Sequence, residues 1–125
     1  MPKPKPLIAI IDDDESMREA IKGFVRSLGY RADAVGSAQE FLSSRLVRRT
    51  SCVIADMQMP GMTGLELYQR LSTSAKPVPT ILITAYPDDS VRERALSAGV
   101  VGYLSKPFEE NDLLACIRSA LTHAP

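Results

Sequence analysis

The sequence is poor in the residue types that build most zinc centres and nucleophilic enzymes. Its 125 residues include one histidine, two cysteines and no tryptophan. The histidine, His123, lies near the C-terminal end, and Cys52 and Cys116 are far apart without a C-x-x-C spacing. These features argue against a zinc site, a histidine-dependent catalytic triad and an internal phosphohistidine relay. We expect both cysteines to be buried apolar residues in a reducing compartment.

Net charge and nucleotide-binding motifs are missing as well. The 15 basic residues balance the 15 acidic ones, so the chain has no overall field that would attract nucleic acid or an anionic membrane. We therefore expect neither direct nucleic-acid binding nor membrane association. The sequence contains no P-loop and no G-x-G-x-x-G segment, which argues against the usual modes of nucleotide binding. Residues 1–6 precede only a short apolar run, which excludes a signal peptide or membrane span and predicts a cytoplasmic protein.

The chain does contain a regular alternation of strand and helix patterns. Short apolar runs, typical of strands buried on both faces, alternate with stretches in which apolar residues recur at helical spacing. Capping boxes at Ser37–Glu40 and Thr63–Glu66 mark two helix starts, and Gly29 and Gly99 mark two helix ends. The predicted strands are Leu7–Ile11, Arg31–Val35, Cys52–Ala55, Thr80–Ile83 and Val101–Leu104.

Five strand–helix units fit into one domain of this length. Because strands alternate with helices and leave no room for hairpins, we predict an α/β fold with a parallel sheet, right-handed crossovers and helices on both faces. The domain is expected to span residues 7–121. Residues 1–6 would form a flexible leader, and residues 122–125 would form a tail or the start of a linker.

Four of the predicted strands are followed by side chains that can bind a metal ion or phosphate. These are Asp12 and Asp13 after the first strand, Asp56 after the third, Thr84 after the fourth and Lys106 after the fifth. A parallel sheet brings the carboxyl ends of its strands to one edge, where ligands bind. Crowded carboxylates require a compensating cation, and oxygen ligands favour a hard ion such as Mg²⁺. The sequence therefore predicts an acidic pocket competent for phosphoryl transfer, in which the ammonium and the hydroxyl would stabilise phosphoryl oxygens.

Together these motifs resemble the receiver domain of two-component response regulators. The resemblance rests on Asp12-Asp13, on Asp56 within V-I-A-D-M-Q-M-P-G-M-T-G, on Thr84-Ala85 and on Lys106-Pro107-Phe108. It spans nearly the whole chain and implies a doubly wound (βα)5 flavodoxin-like fold with the strand order 2-1-3-4-5. The loop M-Q-M-P-G-M-T-G is most similar to the FixJ-like branch, whose members usually carry a helix-turn-helix output domain after the receiver.

The resemblance also implies a role for each residue of the acidic pocket. Asp56 is expected to be the phosphoacceptor and to bind Mg²⁺ directly, together with Asp13 and the backbone carbonyl of Gln58. Asp12 is expected to act on the metal through water, and Mn²⁺ would satisfy the same ligands. Lys106 is expected to stabilise the phosphoryl charge. The donor would be a phosphohistidine on a partner sensor histidine kinase.

A surface that we call the output face is expected to change on phosphorylation. It consists of the fourth predicted helix, from about residue 90 to 98, the fifth strand and the fifth helix. The resemblance implies that Thr84 moves toward the phosphoryl group and stabilises it, while Tyr103 turns inward and reshapes this face. Gln58 and Tyr86 are expected to tune the lifetime of the phosphoryl group. The Lys106–Pro107 peptide bond is expected to be cis.

The implied function is a signalling switch that assists its own phosphorylation and dephosphorylation, and not a conventional enzyme. Its output would be transcription, through a helix-turn-helix domain not present in this chain, with a phosphorylation-dependent homodimer as a further expectation. A stand-alone phosphorelay shuttle is the alternative if no further domain follows. An inert receiver-shaped interaction module is a second rival. A third is a haloacid-dehalogenase-like phosphatase that uses Asp12 as nucleophile, because Asp12-x-Asp14-x-Ser16 resembles the nucleophile loop of those enzymes.

Some of these residues also have a simpler structural interpretation. Asp14 is interpreted as a helix cap. Tyr103 can be a core or half-exposed aromatic as easily as a switch. The arginines Arg45, Arg48 and Arg49 follow a predicted helix and are interpreted as solvated surface without an assigned function.

Overall fold

Five parallel strands form a sheet in the computed structural model, which describes residues 5–74 and 77–122. The strands are β1 (Leu7–Ile11), β2 (Arg31–Val35), β3 (Cys52–Asp56), β4 (Thr80–Thr84) and β5 (Gly102–Ser105). Their order is β2-β1-β3-β4-β5, and every neighbouring pair is parallel. The predicted doubly wound fold and its strand order are therefore confirmed.

Helices cover both faces of the sheet. Within the described residues they are α1 (Glu15–Ser27), α2 (Ala38–Ser43), α3 (Leu46–Arg49), α4 (Gly64–Ser72), α5 (Asp89–Ala98) and α6 (Glu110–Thr122). Val25 of α1 and Ile117 of α6 belong to one buried apolar cluster. Phe41 of α2, Leu67 of α4 and Ala95 of α5 belong to the other. The sheet is thus enclosed between two apolar layers.

The central strands β1, β3 and β4 are buried at every position because their side chains alternate between these two layers. In β1, Ala9 and Ile11 pack into the cluster under α2 and α4, whereas Ile8 and Ile10 pack into the cluster under α1 and α6. All four are fully buried. The continuous apolar run in the sequence is what a strand buried on both faces requires.

The helix ends follow the capping signals with one difference. Thr63 and Glu66 form the complete predicted capping box, and Gly99 ends α5 in the left-handed conformation with φ of 113°. The Ser37 hydroxyl accepts from the Glu40 backbone N–H at 3.0 Å, as a cap does. The Glu40 carboxylate, however, accepts from the N–H of Gly36 at 3.3 Å. The second half of the predicted box is therefore shifted by one residue.

One helix was not predicted. The segment Leu46–Arg49 forms the short helix α3, which places Arg48 and Arg49 on an exposed helical turn. The Arg45 side chain makes no capping bond at its start, where the Ser44 hydroxyl accepts from the Leu46 N–H at 3.1 Å, and its end is held by the Thr50 hydroxyl, which donates to the Leu46 carbonyl at 2.8 Å. A four-residue helix leaves little trace in a sequence. The output face predicted above accordingly consists of α5, β5 and α6.

The structure also bears on the cysteines and the chain ends. Cys52 is buried, but Cys116 of α6, whose Sγ lies beside Gly102 of β5, is only partly buried. The expectation that both thiols are buried is therefore half wrong. Residues 1–4 of the predicted leader and residues 123–125 of the tail, including His123, lie outside the described residues. Among residues 5–74 and 77–122, no helix is long and apolar enough to cross a membrane.

A close approach at Gly64 generates a testable prediction about stability. A Cβ at this first residue of α4 would lie 2.6 Å from the Asp56 carbonyl oxygen and 2.9 Å from Leu82 Cδ2. Gly64→Ala is therefore expected to lower the free energy of unfolding by about 1–3 kcal/mol, because either the helix start or the end of β3 must move. The measurement is urea denaturation followed by circular dichroism.

Gly23→Ala is the matched control for this substitution. Gly23 lies inside α1, and a Cβ there would meet no heavy atom within 4 Å. Alanine in that helical position is expected to raise the free energy of unfolding by about 0.5–1 kcal/mol. Equal stabilities of the two variants would contradict the proposed contact at Gly64.

Candidate functional site

The predicted polar residues come together at the carboxyl edge of the sheet. Asp12 directly follows β1, Asp56 and Thr84 are the last residues of β3 and β4, and Lys106 directly follows β5. The hydrogen-bond ladder continues past the strand ends. The Asp12 N–H donates to the Val35 carbonyl at 3.2 Å, and the Lys106 N–H donates to the Thr84 carbonyl at 2.7 Å. The parallel pairing therefore extends to the backbone of Asp12 and Lys106.

Three carboxylates form an acidic cluster at this edge. Asp12, Asp13 and Asp56 each contribute an oxygen, and these oxygens lie within 4.8 Å of one another. Asp12 and Asp56 are 2% and 6% exposed, whereas Asp13 is open to solvent. The two buried carboxylates are oriented by the backbone that follows them. The Asp14 N–H donates to Asp12 Oδ1 at 2.9 Å, and the Gln58 N–H donates to Asp56 Oδ1 at 3.1 Å.

Lys106 supplies a positive charge to this cluster. Its Nζ lies 3.2 Å from Asp56 Oδ2 and 3.5 Å from Asp12 Oδ2. Because β4 separates β3 from β5, their axes are about 10 Å apart, and only a long side chain can cross that distance. Burial lowers the pKa of Lys106, but the charges of Asp12 and Asp56 and the hydrogen bonds to them outweigh burial, so its pKa is raised overall. The amine therefore stays protonated at neutral pH.

One ammonium does not neutralise three carboxylates. The pKa of Asp12 is raised, chiefly by burial and further by the charge of Asp56, against the lowering effects of the Asp14 N–H and of Lys106. A buried carboxyl group whose pKa is raised next to a lysine still lacks positive charge. The donor set consists of carboxylate oxygens only, which suits a hard divalent cation such as Mg²⁺ or Mn²⁺.

Thr84 is fully buried, and its hydroxyl is held on two sides. It donates to Gln58 Oε1 at 2.9 Å and accepts from the Tyr86 backbone N–H at 3.0 Å. The structure thus links Thr84 to Gln58, and Gln58 in turn to Asp56. Nothing in the sequence marks the bond between Thr84 and Gln58, because these residues are 26 positions apart and both are common surface types.

The remaining predicted residues lie beside the cluster. Tyr103 is on β5, in register with Leu82 of β4, and packs partly buried against the apolar cluster under α4 and α5. Tyr86 follows β4 and is 74% exposed. The Lys106–Pro107 peptide bond is cis.

The fold and the site together are those of a doubly wound α/β domain with an acidic cluster at the carboxyl edge of its sheet, and comparison with known proteins gives the family. The family model for the response regulator receiver domain matches residues 8–118. The chain is 38% identical over 119 residues to the response regulator protein TmoT of Ectopseudomonas mendocina, covering 95% of this chain and 54% of that protein. It is 35% identical over 117 residues to the transcriptional regulatory protein FixJ of Bradyrhizobium diazoefficiens, covering 94% and 57%.

A solved structure agrees with these sequence matches. The response regulator receiver protein from Burkholderia phymatum is 42% identical and superposes with a TM-score of 0.80, covering 97% of this chain and 99% of that one. The chain belongs to the receiver-domain family of two-component response regulators. The resemblance seen in the sequence is thereby confirmed, and its FixJ-like character is consistent with the match to FixJ. The chain spans about half the length of the curated relatives it matches.

The phosphatase alternative loses its support at Asp14. In that alternative Asp12 would be the nucleophile and Asp14 would belong to the same loop, Asp12-x-Asp14-x-Ser16. Asp14 Oδ1 instead accepts from the backbone N–H groups of Ser16 and Met17, so the residue caps α1 as the structural interpretation predicted. Membership of the receiver family points the same way.

The uncompensated charge of Asp12 leads to a prediction about stability. Asp12→Asn is expected to raise the free energy of unfolding at pH 7 in metal-free buffer, because the amide still accepts from the Asp14 N–H but no longer repels Asp56. The pKa of Asp12 is raised in the folded state, so this group favours folding most when it is protonated. That contribution is present below the pKa of the unfolded chain and is lost as the pH rises.

Asp14→Asn is the control for this charge removal, because asparagine caps a helix as well as aspartate does and Asp14 is exposed. Urea denaturation in the presence of a chelator compares the two variants with the wild type. The explanation would be wrong if Asp12→Asn were less stable than Asp14→Asn at pH 7.

Proposed function

We propose that this chain is a phosphorylation-dependent switch in which Asp56 accepts a phosphoryl group from the phosphohistidine of a partner sensor histidine kinase. The observation that carries the proposal is the environment of Asp56. Its buried carboxylate lies in a cluster with Asp12 and Asp13, and its Oδ2 is 3.2 Å from the Lys106 ammonium. A nucleophile, a cation and an acidic metal-binding set are the components that phosphoryl transfer needs.

In the proposed reaction a carboxylate oxygen of Asp56 forms a bond to phosphorus while the bond between phosphorus and the donor nitrogen breaks. The electron pair of that bond stays on the imidazole, which takes a proton from solvent. Lys106 stabilises the phosphoryl oxygens in this step. Bound Mg²⁺, or Mn²⁺ in its place, would be held by Asp13, Asp56 and the Gln58 carbonyl, with Asp12 acting through water, and would neutralise charge on the phosphoryl group.

The signal is proposed to reach the output face through Thr84 and Tyr103. Thr84 would move toward the phosphoryl group, and the half-buried Tyr103 would turn inward and change the surface of α5, β5 and α6. The partly buried position of Tyr103 supports this role, because the ring is neither locked in the core nor free in solvent. Gln58 and Tyr86 are proposed to tune how long the phosphoryl group lasts, and the domain would assist its own dephosphorylation.

The proposed setting is a cytoplasmic regulator of transcription. Residues 7–121 would be the receiver, and a helix-turn-helix domain outside this chain would bind DNA, as the length of the curated relatives suggests. The receiver itself would bind neither nucleic acid nor membrane. A stand-alone shuttle that passes the phosphoryl group onward would use the same site.

Labelling tests the acceptor. Acetyl phosphate with Mg²⁺ is expected to add one phosphoryl group to the wild type, and Asp56→Asn is expected to reduce incorporation to background, measured by intact-protein mass spectrometry. Asp33→Asn, which changes an exposed carboxylate on β2, is the control and is expected to label normally. Loss of label in Asp12→Asn with normal label in Asp56→Asn would favour the phosphatase. An unlabelled wild type that also binds no metal would indicate the inert module.

Association tests the output face. Fluoroberyllate, a phosphoryl mimic, is expected to convert the protein from monomer to dimer, because rearrangement of α5, β5 and α6 would expose a self-complementary surface. Sedimentation velocity with and without the mimic measures this, with Asp56→Asn as the unresponsive control. A wild type that binds the mimic fully and stays monomeric would refute the homodimer.

A further inference from the structure

The hydroxyl of Thr84 has only one proton, and the hydrogen-bond geometry assigns it to Gln58. The proton is donated to Gln58 Oε1 at 2.9 Å, while the Tyr86 N–H donates to the same hydroxyl oxygen at 3.0 Å. Thr84 is fully buried, whereas Gln58 is an exposed residue of the loop that follows β3. An exposed side chain therefore reaches back over the sheet edge to satisfy a buried donor, which would be costly to leave unpaired.

This bond competes with the proposed role of Thr84. A hydroxyl donates one hydrogen bond at a time. The Thr84 hydroxyl can donate to a phosphoryl oxygen only after it has given up Gln58. Breaking the bond to Gln58 costs free energy. This cost reduces the net gain from the bond that Thr84 would form with the phosphoryl group in the phosphorylated conformation.

Gln58 is also tied to the acceptor itself. Its backbone N–H donates to Asp56 Oδ1 at 3.1 Å, while its side chain accepts from Thr84. One residue therefore contacts the acceptor carboxylate through its backbone and the hydroxyl of β4 through its side chain. A change in the charge or position of Asp56 would act on its hydrogen bond with the Gln58 N–H. Because the side chain of the same residue accepts from Thr84, such a change would also reach the bond to the Thr84 hydroxyl.

We propose that Gln58 is a positioning residue that holds the Thr84 hydroxyl away from the acceptor until Asp56 is phosphorylated. We call this hydrogen bond between Thr84 and Gln58 the latch. It favours the unphosphorylated conformation, and its strength sets how tightly a phosphoryl group, or a mimic, must bind to break it. The inference rests on the proposed function for its consequence, but the positioning itself is a property of the unmodified chain.

Gln58→Met removes the acceptor at nearly constant side-chain length and adds no charge to the acidic pocket. The first measurement needs no phosphoryl group. Three-bond scalar couplings from the Thr84 γ-methyl give its χ1 rotamer populations by nuclear magnetic resonance. We expect one dominant rotamer in the wild type and a clear loss of that population in Gln58→Met, with no change in Gln69→Met, an exposed glutamine on α4.

The second measurement is the affinity for fluoroberyllate in Mg²⁺, determined by calorimetry. Removal of one competing hydrogen bond is expected to tighten binding about two- to tenfold in Gln58→Met. In the Thr84→Val background the same substitution is expected to change the affinity little, because the hydroxyl is already absent. A merely structural role of Gln58 would give the same change in both backgrounds.

The outcomes separate the latch from the proposed function. An unchanged Thr84 rotamer in Gln58→Met, or an affinity equal to that of the wild type, would overturn the latch even if Asp56 labels normally. Faster loss of the phosphoryl group with both measurements unchanged would assign Gln58 to lifetime alone and would also overturn it. A wild type that does not bind fluoroberyllate would count against the proposed function, and the rotamer measurement would still decide the positioning.

Discussion

The excess of negative charge at the sheet edge is the constraint on which the rest of the site depends. Asp12 and Asp56 are buried side by side, and Lys106 contacts both of them. With Asp13 included, three carboxylates face one ammonium. Burial makes this imbalance costly, because the charges cannot be screened by water. A divalent cation would reduce this imbalance and a phosphoryl group would add to it, so both ligands of the proposed function would act on the charge balance of the site.

The sheet makes such an unfavourable arrangement possible. Its three central strands, β1, β3 and β4, are buried on both faces, and the apolar layers under α1 and α6 and under α2, α4 and α5 hold their ends in place. The order β2-β1-β3-β4-β5 puts β1 next to β3, so Asp12 and Asp56 become neighbours, and puts β4 between β3 and β5. Lysine after β5 has the length to cross β4. The stability of the core thus offsets the cost of the clustered charges.

Most of the fold could be predicted from the chain, and the exceptions have local causes. Runs of buried residues, the Thr63 capping box and Gly99 each leave a strong local pattern, and each is found where the pattern placed it. The short helix α3 leaves no such pattern, because it has only four residues and the Arg45 side chain at its start makes no capping bond. Glu40 bonds to Gly36 and not to Ser37, a choice between adjacent N–H groups that residue types do not distinguish.

The sequence by itself determined which side chains end the strands, since each apolar run gives way to Asp, Thr or Lys within one or two residues. It also determined that these ends share one edge, because a parallel alternating fold allows no other arrangement. Only the tertiary structure decided the distances between them, the partial burial of Tyr103 and Cys116, and the partner of the Thr84 hydroxyl. Those properties depend on contacts between segments tens of residues apart. Residue types alone do not distinguish the possible partners in such contacts, and the packing of the whole domain determines which of them meet.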